Sequence, residues 1–167
     1  MQAENGGIQD MENQGNERTL FPVNRVRICI DKYENLDVQG RLYFKMHRQE
    51  IRFWNCIELL LRIDHVFDEK CFPQAFQQKR TFGSHDICRG YTGRPKEMTS
   101  DAWVCAHRGE LATFDVLVQT RCRTGWQGIL WTMDSTEMVQ FSSELELLKK
   151  ITEEIGVGSD ESLWNHF

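Results

Sequence analysis

The chain has 167 residues, 20 Lys and Arg against 25 Asp and Glu, a net charge of -5 and 40% apolar residues, enough for one packed core in one domain. That acidic balance argues against a general polyanion binder and leaves only local patches to be weighed. The first residues carry neither a basic start nor an apolar run, and no stretch approaches the roughly 18 apolar residues of a membrane-spanning helix, so the default compartment is the cytoplasm.

Residues 1–19, rich in Gln, Asn, Gly and Glu, have almost nothing to bury and read as a disordered tail ahead of a single domain over 20–157. In Arg25–Lys32, Val26, Ile28 and Ile30 alternate with Arg27, Cys29 and Asp31, the period of a half-buried strand. A connection over Tyr33–Asp37, a second strand from Gln39-Gly40 to about Met46 and a short third strand ending at Phe53 follow. Asn55 with Glu58 three residues later forms a capping box, in which the Asn oxygen accepts from the first helical turn while the Glu reaches back to the N–H of the cap. Ile57, Leu60, Ile63 and Phe67 then recur at helical spacing as the stripe that should lie on the sheet, and Trp54 with Leu59 has the spacing of a hydrophobic staple. His65, beside Asp64 on this helix, is expected at the surface.

The same pattern returns 88 residues later. Gln127-Gly128, Leu130, Phe141, Glu146, Leu147, Leu148 and Ile151 repeat Gln39-Gly40, Leu42, Phe53, Glu58, Leu59, Leu60 and Ile63, and Phe114, Val116 and Val118 repeat the first strand. Ser143 takes the place of the Asn55 cap, Leu145, Leu148, Ile151 and Ile155 the place of the stripe, and Gly156 is set to end the helix. The chain therefore reads as an α+β fold, a tandem β-β-β-α repeat with a pseudo-twofold, unit one over 24–68, unit two over 110–156 and an insert over 69–109. Short connections make the strands antiparallel. Both a single sheet with two helices on one face and two small packed sheets satisfy the pattern.

The insert has no counterpart. Cys71–Gln78 can form a short helix with Pro73 in its first turn. Between residues 70 and 96, Lys70, Lys79, Arg80, Arg89, Arg94 and Lys96 face only Asp86, and Phe82 and Tyr91 are interleaved with them. Such a loop holds phosphates and stacks bases, or is a solvated surface segment. His85, Cys88, Cys105 and His107 supply four N/S ligands, as zinc prefers, but as H-x2-C, sixteen residues, then C-x-H, a poor fit to known zinc turns. The six cysteines are read as reduced thiols. His85, Asp86, Cys88, Arg89 and Tyr91 are the residues an enzyme reading would use, yet no nucleophile motif, phosphate loop, paired-carboxylate pattern or cofactor signature accompanies them.

In the second unit, Leu111–Phe114 (LATF), Trp126–Gly128 (WQG) and the run Phe141, Ser143, Leu145, Glu146 and Leu147 resemble a group of small, uncharacterised bacterial proteins with an LATF, WQG, FxSxLEL pattern. The resemblance implies a bacterial or mobile-element origin and no mechanism. Residues 158–167 read as a flexible acidic tail carrying Trp164 and Phe167, which form a short docking motif, or else fold back on the domain or do nothing. Trp54, Trp103, Trp126 and Trp131 outnumber what a core of this size needs, which favours a non-catalytic protein-interaction module. The alternative is RNA or DNA binding through Lys79, Arg80, Arg89, Tyr91 and Arg94.

Overall fold

A computed structural model of the chain describes residues 21–35, 37–73, 98–121, 125–133 and 137–156. The strands are β1 (Arg25–Glu34), β2 (Asp37–Phe44), β3 (His47–Phe53), β4 (Ala112–Thr120), β5 (Gln127–Thr132) and β6 (Met138–Phe141); the helices are α1 (Cys56–Glu69), α2 (Asp101–Ala106) and α3 (Glu144–Glu154). The strands form one antiparallel sheet in the order β3-β2-β1-β4-β5-β6, which resolves the choice between one sheet and two. Each half is a meander of three strands closed by a helix, and the halves meet where β1 pairs with β4.

Register makes the halves comparable residue by residue. Gly40 faces Ile30 and Phe53; Gly128 faces Val118 and Phe141. β1 bulges between Ile30 and Lys32 and β4 between Val118 and Thr120, again 88 positions apart. In the central ladder Arg27 pairs with Asp115, the residue 88 positions on, and the antiparallel register is symmetric about this pair.

The repeated Gln-Gly pair has a steric cause. A Cβ on Gly40 would collide with the Cys29 carbonyl and press on the Phe53 ring, and one on Gly128 would meet the Leu117 carbonyl and the Phe141 ring. Each ring lies over a backbone with no side chain of its own, a pairing strands use at close approaches.

Both helices lie on one face of the sheet. α1 buries Leu59, Ile63, Val66 and Phe67, and α3 buries Leu147 and Ile151, in one cluster with Val26, Ile28, Leu42, Phe114, Val116 and Leu130. Each such side chain contributes about 1.5–3 kcal/mol by leaving water. Their starts are capped alike: the Glu58 N–H donates to Asn55 Oδ1 (2.7 Å) and the Glu146 N–H to Ser143 Oγ (3.1 Å). The carboxylates reach back one residue further than a simple box, to the N–H of Trp54 (3.1 Å) and of Ser142 (2.8 Å). Gly156, at a φ of 79°, follows α3 in the left-handed conformation that ends helices.

The other face carries a smaller cluster, Phe21, Cys29, Tyr43 and Val104, with Trp103 beside it. It is covered by α2, a helix that sequence periodicity had placed in the insert loop. Ser100 caps it by accepting from the Trp103 N–H (3.1 Å), and Asp101 holds its start through the Phe21 N–H (3.2 Å) and the Lys45 ammonium (2.6 Å). The helix expected from Cys71 does not begin there: residues 71–73 form a turn with the Phe72–Pro73 peptide cis, and 74–78 lie outside the described residues. No described helix is long and apolar enough to cross a membrane.

Candidate functional site

The chemistry of the α2 face is committed to structure. In the central ladder, Arg27 donates from Nε to Asp115 Oδ1 (2.8 Å) and from Nη2 to Oδ2 (2.7 Å), while Arg25 Nη2 donates to the same Oδ2 (2.7 Å). Side-chain exposure is 2% for Arg27 and 1% for Asp115. Arg27 Nη1 donates to the Cys105 carbonyl (2.6 Å), which ties the end of α2 to the sheet. Arg25 lies between the rings of Phe21 (4.9 Å) and Trp131 (4.6 Å).

A second network runs along β1, β2 and β3. Arg41 clamps Asp31 with two bonds of 2.8 Å and donates to the Tyr43 hydroxyl (3.1 Å), which donates to Glu50 (3.0 Å). Burial opposes ionisation of Asp31, but the Arg41 guanidinium and the Glu110 N–H outweigh it and hold the carboxyl below its ordinary range. Burial and the Glu50 bond push the Tyr43 hydroxyl up to about 12. These bonds tie β1, β2 and β3 together and order this edge of the sheet.

The candidates singled out from sequence are dispersed. Lys79, Arg80, Arg89, Tyr91, Arg94, His85 and Cys88 lie outside the described residues. Lys70, the one described member of the basic run, pairs with Glu69 (2.7 Å). Trp126 is buried in the core edge-on to Phe67, at 6.4 Å between centroids, and is therefore no surface contact. His107 stacks on Tyr43 at 3.8 Å and donates from Nδ1 to the Trp103 carbonyl (2.7 Å), whereas the Cys105 side chain is exposed. Among the described residues no group of three or more His, Cys, Asp or Glu side chains is placed to hold a metal. Cys71 is disulfide-bonded, which corrects its reading as a thiol, while Cys29, Cys56 and Cys105 are free. Burial lifts the Cys29 thiol to about 11, and burial with the Asp37 carboxylate lifts Cys56 to about 11.

Among the described residues several large apolar side chains stand open to solvent, three of them around the start of α1 and the others at Met98, Leu111, Met138, Val139 and Leu145. Trp54, just ahead of α1, is 58% exposed, and Ile57 (70%) and Leu61 (63%), four residues apart, share one outward side of the helix. Ile57 is thus not the start of the buried stripe, which begins at Leu59, and Trp54 does not staple to that buried Leu59 but stands out from it. The other half serves as an internal control. Its fold is the same, yet Ser142 stands for Trp54 and Lys149 for Leu61, and only Leu145, 77% exposed, matches Ile57. The fold does not require Trp54 or Leu61, and comparing the two halves at these positions is the signal in the sequence that would have found them. Beside the stripe, Arg62 is exposed on α1, while Arg52, exposed at the end of β3, is paired with Glu50 (2.9 Å). No protein family, curated protein or solved structure matches the chain.

Proposed function

We propose that the protein is a non-catalytic protein-interaction module that takes its partner on the outward face of α1. The observation that carries this reading is the exposure of Trp54, just before α1, and of Ile57 and Leu61 on it, where the other half is polar at two of the three equivalent positions. Aromatic and aliphatic anchors on a rigid helix, rimmed by Arg, have the chemistry of a protein contact. The chain with Trp54→Ser, Ile57→Ser and Leu61→Lys keeps its fold and loses the proteins that co-purify with the wild type at near-physiological salt. An unchanged set of co-purifying proteins refutes the reading.

A second reading, RNA or DNA binding through residues 70–96, is supported by six Lys and Arg against one Asp in that run. Its contacts are phosphates, so binding weakens steeply with salt and disappears when Lys79, Arg80, Arg89 and Arg94 become Ala, whereas the α1 contact hardly responds to salt. With either reading goes the expectation of a cytoplasmic protein of a bacterium or mobile element. The Cys71 disulfide is the observation against that placement, and alkylation of freshly lysed cells shows whether the Cys71 thiol is free there.

A further inference from the structure

The inference concerns what covers the α1 stripe, and it rests on the reading of α1 as the docking helix. α1 begins at the end of the sheet where β1 turns into β2, because the Cys56 N–H donates to Asp37 Oδ1 (2.6 Å). It finishes at the opposite end, where β4 passes to β5: there Arg121 donates to Asp64 (2.8 Å) and Asp68 (2.7 Å), and Phe67 meets Trp126. α3 begins at this second end, since a Cβ on Gly125 would stand 2.8 Å from the Glu144 carboxylate and 3.8 Å from Ser143 Cα. With Leu147 and Ile151 in the core, α3 runs back over the sheet antiparallel to α1 and delivers Gly156 to the end where Trp54 and Ile57 stand.

The chain that continues from there is Val157–Phe167, VGSDESLWNHF. Extended, it reaches about 35 Å at roughly 3.3 Å per residue, several times the two turns of helix that the stripe occupies. Its composition is complementary to that surface. Leu163, Trp164 and Phe167 are apolar partners for Trp54, Ile57 and Leu61, and Asp160 and Glu161 are acidic partners for Arg62, which has no ion-pair partner among the described residues, whereas Arg52 is held by Glu50. We propose that residues 157–167 dock in cis across the outward face of α1 through Leu163, Trp164 and Phe167, so that the tail and an external protein compete for one surface.

The test uses the full chain with p-benzoylphenylalanine in place of Trp164, irradiated at two concentrations tenfold apart and mapped by peptide mass spectrometry. The expected product is an intrachain link from position 164 to the segment 53–62, at monomer mass and in the same yield at both concentrations. Introducing Trp54→Ser and Leu61→Lys, the residues α3 carries, lowers that yield at least fivefold. Links between chains, links to other segments, no link, or a link indifferent to the two substitutions would each overturn cis docking. The link is read without any partner present, so its failure is separate from failure of the interaction reading, which co-purification decides. With docking established, Leu163→Ala with Trp164→Ala in the full chain raises retention of co-purifying proteins severalfold, and unchanged retention removes the competition.

Discussion

Replacing Asp115 by Asn keeps the shape of the central ladder and removes the charge that two guanidiniums share. The wild-type carboxylate accepts three hydrogen bonds of 2.7–2.8 Å, two from Arg27 and one from Arg25. Arg25, 16% exposed, has a route to water; Arg27, at 2%, has none and keeps only carbonyl partners and the Met133 thioether. Breaking a buried pair by deleting one charge costs about 3–5 kcal/mol, because the remaining charge stays desolvated and unpaired. Against a total of roughly 5–15 kcal/mol for a domain, that is about a fifth or more of the stability. With a urea slope of about 2 kcal/mol per molar, the midpoint falls by roughly 1.5–2.5 M, read by tryptophan fluorescence. The double variant Arg27→Met with Asp115→Leu leaves no buried charge and recovers most of the loss or exceeds the wild type. An Asn variant within about 1 kcal/mol of the wild type, or a double variant as weak as the single one, would show that Arg27 finds another counter-charge and refute the reasoning.

Gly40→Ala and Gly128→Ala each drive a methyl into a carbonyl and a phenyl ring, so each lowers stability by about 1–3 kcal/mol or more, by similar amounts, in urea unfolding. Asp31, held below its ordinary range, stabilises the fold above the unfolded carboxylate pKa near 4 and ceases to as pH falls through its lower folded value; Asp31→Asn therefore flattens the acid limb of the stability curve below about pH 5 and leaves less to lose there. An equally steep acid limb in that variant would place the acid sensitivity elsewhere. Iodoacetamide at pH 8 labels the exposed Cys105 in the native protein, while Cys29, buried and pushed up to about 11, is labelled only after denaturation. Equal labelling rates for the two would contradict the cover that α2 and Phe21 give Cys29.

Much of the fold was legible because it is written twice in the chain. Alternation in Arg25–Lys32, the Asn55 and Ser143 caps and the terminal Gly156 each name a local conformation, and their return 88 residues on removes most competing assignments. α2 was not legible: six residues give too short a period to stand out, and only Ser100 and Asp101 mark its start. The stripes hold except at their first residue: Ile63, Phe67 and Ile151 are in the core with Leu60, Leu148 and Ile155 packed against it, whereas Ile57 and Leu145 face solvent, being as apolar as the residues that follow with nothing local to say which side faces the sheet. Trp126 shows the converse error, a large aromatic beside a turn that the fold draws inward to close the space next to Phe67. The bulges at Asp31 and Gln119 follow from strand pairing and leave no trace in hydrophobic period.

The position of Arg27 and Asp115 at the centre of this register also bears on how the sheet can be assembled. Two identical half-chains joined by the same symmetry would set residue 27 against residue 27, bringing like charges together in a dry interior, and an all-Asp or all-Arg version fares equally badly. Only an apolar or neutral residue satisfies that point in a homodimer, whereas opposite signs require two unlike halves. The ion pair thus requires two unlike halves at this point and disfavours pairing of either half with a copy of itself, while an Arg27 half and an Asp115 half match whether or not they belong to the same molecule.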